Sequence, residues 1–247
     1  NGPAVAATGG SLDAARVYFG IAAHADWSTP ANEVTYRVQV RPVGGGNTYN
    51  ITNSRYSVTS GGSTTYYDVM VMCIQRVGAS TSSCYLNTNG IQPQYQSAVF
   101  NNNVMIFPVP VNAVGLGSAN TRFEWRVQAV HYRFGQIDET PWYTYDFLNP
   151  GLDFTGGDPG QPTYLAEPGR TLPVAYDKAA YDAAGSKGIL LLHHFNARGN
   201  RAQVVGINSV PAGAGFVDPP LSKTYGDEPF TVTAENPKAV IGSLTQD

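Results

Sequence analysis

The sequence predicts an all-β protein: an antiparallel β-sandwich of immunoglobulin or jelly-roll type, with one short helix and a C-terminal strand extension. Three observations carry that expectation. Long segments alternate apolar and polar residues with period two, which puts one set on a core and the other in water, and which no helix accommodates. Glycine-rich separators recur between these segments, as at Gly44-Gly45-Gly46, Gly61-Gly62 and Gly156-Gly157, and they supply the positive φ that tight turns need. Helical spacing is confined to residues 177–184, where Asp177 can cap, Ala179, Ala180, Ala183 and Ala184 propagate, and Gly185 stops the chain.

Taken in order, residues 16–22 and 34–43 are the first strands. In the second of them Val34, Tyr36, Val38 and Val40 share one face, while Thr35, Arg37, Gln39 and Arg41 make the other wet. Residues 50–58 follow, and then 67–73, where Tyr67, Val69, Val71 and Cys73 alternate with Asp68, Met70 and Met72, so that both faces are partly apolar. Pro108 and Pro110 each remove a ladder donor from residues 104–111, which suits an edge strand or a bulge. In residues 123–129, Phe123, Trp125 and Val127 point to the core, against Glu124, Arg126 and Gln128. Residues 143–147 and 172–176 are shorter strands. Residues 189–195 and 202–207 read as a hairpin whose run Ile189-Leu190-Leu191-Leu192 calls for a place inside a sheet. The last strand is Phe230-Thr231-Val232-Thr233-Ala234. Composition shifts after Asn149-Pro150-Gly151, so the expected organisation is a sandwich over 1–150, a hairpin-containing continuation of it over 151–210, and a linker with a terminal strand over 211–247.

Charged residues are only 13% of the chain, against about 25% in an ordinary soluble domain, so its surface is solvated by Asn, Thr, Ser, Gln and Tyr. With 15 basic and 18 acidic residues, the net charge of −3 offers no field for a phosphate backbone. Nucleic acid is therefore not an expected partner. No apolar run reaches the roughly 20 residues a membrane helix needs. The first residue is Asn1 and no leader pattern opens the sequence, so the expectation is a mature chain or a fragment of a longer one. Cys73 and Cys84 flank a turn-forming stretch, and a hairpin there would bring them together as a disulfide, the alternative being two buried thiols. A disulfide belongs to an oxidising compartment, which makes the expected location extracellular or at the cell surface.

Several segments, in order, resemble the C-terminal non-catalytic region of large secreted bacterial subtilisin-like serine peptidases. They are Val17-Tyr18-Phe19-Gly20-Ile21, Trp27-Ser28-Thr29-Pro30, Phe100-Asn101-Asn102-Asn103-Val104-Met105, residues 123–127, Tyr145-Asp146 with Asn149-Pro150-Gly151-Leu152-Asp153, and Lys187-Gly188-Ile189-Leu190-Leu191-Leu192-His193-His194. Lys223-Thr224-Tyr225-Gly226-Asp227, followed by the terminal strand, resembles the opening of an MBG-type repeat, a small extracellular β module. The resemblance implies a bacterial, secreted β-sandwich without activity of its own. Where family members carry an Asp-rich stretch after the second strand, this chain has Gly44-Gly45-Gly46-Asn47-Thr48, so no calcium site carries over to that position.

The catalytic patterns of that peptidase family are absent: there is no Asp-Thr/Ser-Gly, His-Gly-Thr or Gly-Thr-Ser, and no Gly-x-Ser-x-Gly elbow or His-Glu-x-x-His either. No catalytic residue, cofactor or metal site is therefore expected. His193 and His194 are adjacent on a strand and point to opposite faces, which argues against shared metal ligation. Asp153 to Asp158 could offer oxygen ligands to Ca²⁺, although Asp and Gly are equally ordinary turn residues there. Trp27 and Trp142 lie beside Pro and Thr in loops and are the candidate stacking surfaces for a polysaccharide, with packing as the plainer role. Asn50-Ile51-Thr52 fits a glycosylation sequon at Asn50.

Three functions follow as expectations: a structural or surface-assembly protein, an ancillary domain of a secreted protease, or a carbohydrate-binding module. The first is the leading one. Phe230, Thr231, Val232, Thr233 and Ala234 form a strand pattern with no evident local partner, and a strand without a partner would seek a sheet edge, either its own or that of the next subunit. Donation to the next subunit would repeat head to tail into a homopolymeric filament.

Overall fold

A computed structural model describes residues 2–6, 12–27, 33–85, 102–153, 171–176, 178–183, 188–193, 201–206, 230–233 and 242–246. The chain divides into two compact units, Asn1–Tyr145 and Asp146–Asp247. Strand pairing is antiparallel wherever it is defined, and the fold is all-β and sandwich-like. No helix among the described residues is long and apolar enough to cross a membrane.

The first unit runs β1 (Gly2–Ala6), β2 (Arg16–Trp27), β3 (Val34–Pro42), β4 (Tyr49–Ser60), β5 (Ser63–Arg76), β6 (Ser83–Tyr85), β7 (Asn102–Pro110), β8 (Arg122–His131), β9 (Gly135–Glu139) and β10 (Tyr143–Asp146). A small sheet has the order β1-β2-β7. A larger one has the order β10-β8-β3-β4-β5-β6, with β9 folded back on β8. The two sheets meet through aromatic rings. Phe19 of β2 packs edge-on against Phe123 of β8 at 6.0 Å and tilts over Trp125 at 6.1 Å. Tyr145 and Tyr143 of β10 close the cluster at 5.6 Å from Phe123 and 5.3 Å from Trp125. Trp125 is therefore core, as its place on an alternating strand implied.

Around these rings Val17, Ile21, Val38, Val40, Ile51, Met105 and Phe107 are shut off from water. Each such side chain contributes about 1.5–3 kcal/mol by burial, which makes this face the main stabilising element of the unit. The prolines sit as their chemistry requires, because β7 lies at the end of its sheet and Pro108 and Pro110 face Tyr18 and Arg16 of β2. After β7 a 3-10 turn, Val111–Val114, ends on Gly115 in the left-handed region at φ 70°, where glycine is favoured.

The second unit contains β11 (Leu152–Asp153), β12 (Thr171–Tyr176), the helix α1 (Lys178–Ala183), β13 (Gly188–His193), β14 (Arg201–Gly206), β15 (Phe230–Thr233) and β16 (Gly242–Gln246). Residues 151–210, read from sequence as a continuation of the first sandwich, thus fall together with 211–247. The 189–207 hairpin forms as β13 and β14, with Leu190 opposite Val204. Its apolar run was expected inside a larger sheet. Among the described residues β13 pairs with β14 alone.

One expectation needs correction. The terminal strand was read as having no local partner, but β15 pairs with β16, Val232 opposite Leu244, and β16 in turn pairs with β12, Leu244 opposite Leu172. The sequence hides β16 because Gly-Ser-Leu-Thr-Gln has a single apolar residue and so shows no alternation. Ala234, the last residue of the expected strand, lies outside the described residues.

Candidate functional site

The wet faces of β3 and β8 do more than contact solvent. Unbroken register sets Gln39 opposite Arg126, Arg41 opposite Glu124 and Arg37 opposite Gln128, so that complementary polar groups meet across the strands. Arg126 Nε donates to Gln39 Oε1 at 2.8 Å, and Gln39 Nε2 donates to Asn50 Oδ1 of β4 at 2.8 Å. Arg41 pairs with Glu124, and Arg126 pairs with Glu139 of β9, both at 2.6 Å. Gln128 is almost fully enclosed at 2% exposure, and its Nε2 reaches Gln136 at 2.6 Å and Glu139 at 3.0 Å. A buried amide left unpaired would cost about 1–3 kcal/mol, so these two bonds are what permit a glutamine at that depth.

The electrostatics follow from the contacts. Glu139 is held below the ordinary carboxylate range, chiefly by the Gln128 hydrogen bond, with the Arg126 charge and Gln136 adding to it and desolvation opposing. Burial lowers the Arg37 guanidinium and raises the Tyr36 phenol. Two of the arginines are thus matched by carboxylates, whereas Arg37 reaches Gln128 Oε1 through a terminal nitrogen at 3.5 Å and keeps a buried Nε without a hydrogen-bond partner. Together these contacts tie β3, β4, β8 and β9 to one another.

The two tryptophans do not combine. Trp142, in the β9–β10 connection, has the guanidinium of Arg41 4.2 Å and that of Arg126 4.6 Å from its ring centre, which places it over the polar face of the large sheet. Such contacts are worth about 0.5–2 kcal/mol and put the ring to structural use. Trp27 was expected in a loop but is the last residue of β2, beyond a register shift after Ala22, and its ring lies 5.6 Å from Tyr36. Tyr36 shares the core-facing side of β3 with Val38 and Val40, whereas Arg41 is on the other side. The two candidate stacking rings therefore occupy separate positions, Trp142 against the guanidiniums of Arg41 and Arg126 and Trp27 against Tyr36.

Cys73 and Cys84 form a disulfide between directly opposed residues of β5 and β6. Asn50 sits half-buried in β4 between Gln39 and Gln75, with its side-chain oxygen already engaged. His131 ends β8 and organises the following turn: its Nδ1 accepts from the amides of Arg133 at 3.1 Å and Phe134 at 3.4 Å, and its ring stacks on Tyr132 and Phe134. His193 lies in β13 opposite Arg201. His194 and residues 154–158 of the candidate calcium loop lie outside the described residues.

Sequence reasoning missed a pocket of about 350 Å³ at the β5–β6 end of the large sheet, lined by Tyr49, Arg76, Thr81, Ser82, Ser83 and Tyr85 among others. Its walls come from β4, β5, β6, the β5–β6 loop and the 3-10 turn after β7, and no local motif joins them. Compared with known protein families, curated proteins and solved structures, the chain matches none.

Proposed function

We propose that this chain is an extracellular, non-catalytic structural or surface-assembly protein that associates with copies of itself through the open edge of its terminal sheet. The observation that carries the reading is the position of β15. In the order β11-β12-β16-β15 it is the last strand, so among the described residues it has a hydrogen-bonded neighbour on one side only. Its sequence, Phe-Thr-Val-Thr, contains none of the charges or prolines that blunt an edge. Pairing through that edge adds a strand from the next chain and repeats if the operation does not close, giving a filament. This replaces donation of a lone strand by pairing of a hairpin edge. The disulfide supports the extracellular placement, and the mutual pairing of charged groups on the large sheet supports a load-carrying role over a chemical one.

The ancillary protease-domain reading has one observation in its favour. Segments that carry the resemblance, on β2, β8 and β10, converge on the Phe19, Phe123, Trp125 and Tyr145 cluster.

Light scattering and negative-stain microscopy of the full chain and of a deletion lacking residues 221–247 decide the assembly reading. The expected result is multimers or filaments for the full chain and a folded monomer for the deletion. A full chain that stays monomeric at high concentration, or a deletion that still assembles, overturns it.

A further inference from the structure

The geometry points to a second, independent property: the pocket beside the disulfide is a binding site for an acidic sugar, with Arg76 receiving the carboxylate. Its size, about 350 Å³, is at the small end for ligand pockets and suits one ring and its substituents.

The chemistry of the lining selects the ligand class. Arg76, the last residue of β5, has no ion-pair or side-chain hydrogen-bond partner among the described residues, and no carboxylate lines the pocket. On the polar face of the same sheet, by contrast, Arg37, Arg41 and Arg126 are each bonded to an acidic or amide side chain. An unpaired guanidinium in a concave site presents a planar fork of donors, which matches a carboxylate in bidentate fashion. Tyr49 and Tyr85 bring two flat rings on which the apolar face of a sugar can stack, each with a phenol at its tip. Thr81, Ser82 and Ser83 add three hydroxyls, which donate and accept as a polyol requires. A purely apolar ligand would strand these groups, and a cation would meet Arg76. The combination that satisfies all of them is a ring with one carboxylate and several hydroxyls.

The site is also built in advance. Ser83 and Tyr85 are held in register against Ile74 and Met72, and the Cys73–Cys84 bond locks that register. The loop between the strands is braced from below, since Gln75 Nε2 donates to the Ala79 carbonyl at 2.8 Å, the Ala79 amide donates to the Arg76 carbonyl at 2.9 Å, and the Val77 amide donates to the Thr48 carbonyl at 2.8 Å. A wall held by a covalent bond and three hydrogen bonds loses little entropy when a ligand arrives.

The test uses the oxidised full chain, whatever its state of assembly, with glucuronate and galacturonate as probes, glucose as the neutral control and inorganic phosphate as the charge-only control. Saturation-transfer NMR and calorimetry are expected to detect either uronate, with at least tenfold weaker binding of glucose and phosphate. Arg76→Gln and Tyr85→Ala are each expected to weaken uronate binding at least tenfold without lowering Tm by more than a few degrees, Arg76 being exposed and Tyr85 half-buried. Mild reduction of the disulfide is expected to weaken it as well. Absence of uronate binding, equal binding of glucose, displacement by phosphate at equal concentration, or unchanged affinity in Arg76→Gln would each overturn the assignment.

Discussion

The β4–β5 hairpin is two structures in one pair of strands. Near its base, residues 49–52 pair with β3 on one side, residues 72–74 pair with β6 on the other, and Ile51, Met70, Val71 and Met72 are buried. Past a register shift around Tyr56, residues 57–60 and 63–66 continue as a ribbon on Gly61-Gly62, with every residue exposed. Both halves alternate and both are rich in β-branched and aromatic residues, so strand propensity alone does not separate them. What separates them is apolar density on both faces. Met70-Val71-Met72-Cys73-Ile74 has it, and Ser63-Thr64-Thr65-Tyr66 does not. A strand pattern reports geometry, whereas the continuity of the apolar run reports whether the rest of the protein covers it.

The largest expected effect sets the two halves directly against each other. Met72→Ala removes a fully enclosed side chain and is expected to cost about 2–5 kcal/mol, while Tyr66→Ala on the exposed ribbon is expected to change stability by less than about 0.5 kcal/mol. Urea denaturation of both variants measures the difference. Equal losses would mean that the ribbon is covered and that the division is wrong.

A smaller effect sharpens the boundary of the rigid half. The Cys73–Cys84 bond closes a loop of sequence separation 11, so the Cys73→Ser, Cys84→Ser double variant is expected to lose about 2–3 kcal/mol by release of the unfolded chain. The accompanying gain in amide exchange should be concentrated in β6 and in residues 72–74, and the ribbon tip should exchange as before. Two alkylatable thiols in the untreated protein would remove the premise.

Much of the first unit was legible because one face of each long strand meets a core. The alternation of Val38 with Gln39 and of Trp125 with Arg126 is a direct image of the sheet's two sides, and the cysteine pair bracketing a turn foretold the β5–β6 hairpin. Strands with little apolar content left no such image. Gly-Gln-Ile-Asp-Glu of β9, folded back on β8, and Gly-Ser-Leu-Thr-Gln of β16, paired with β15 and β12, each hold a single apolar residue and so show no alternation, which is why β15 was read without its partner. Sites depended on register, which the sequence does not display. Nothing local sets Gln39 against Arg126, brings Trp142 over two guanidiniums or gathers Tyr49, Arg76 and Tyr85 around one pocket. Trp27 was misplaced for a related reason: β2 runs on through an irregular register beyond Ala22.

The smallest effect tests whether the ribbon is a separate unit of stability. Gly61 and Gly62 occupy the turn with φ of 58° and 82°, and a side chain at either would meet no atom within 4 Å. The cost of Gly62→Ala is therefore backbone strain alone, on the order of 1 kcal/mol, with no steric component. If the ribbon opens independently of the core, that strain is drawn from its local stability and leaves the global unfolding transition in place. The expected outcome is faster amide exchange across residues 57–66, with no change in the exchange of Ile51 or Met72 and a Tm shifted by less than about 1–2 °C. A loss that appears in full in the global transition would mean that base and tip unfold together. The contrast between them would then be one of burial only.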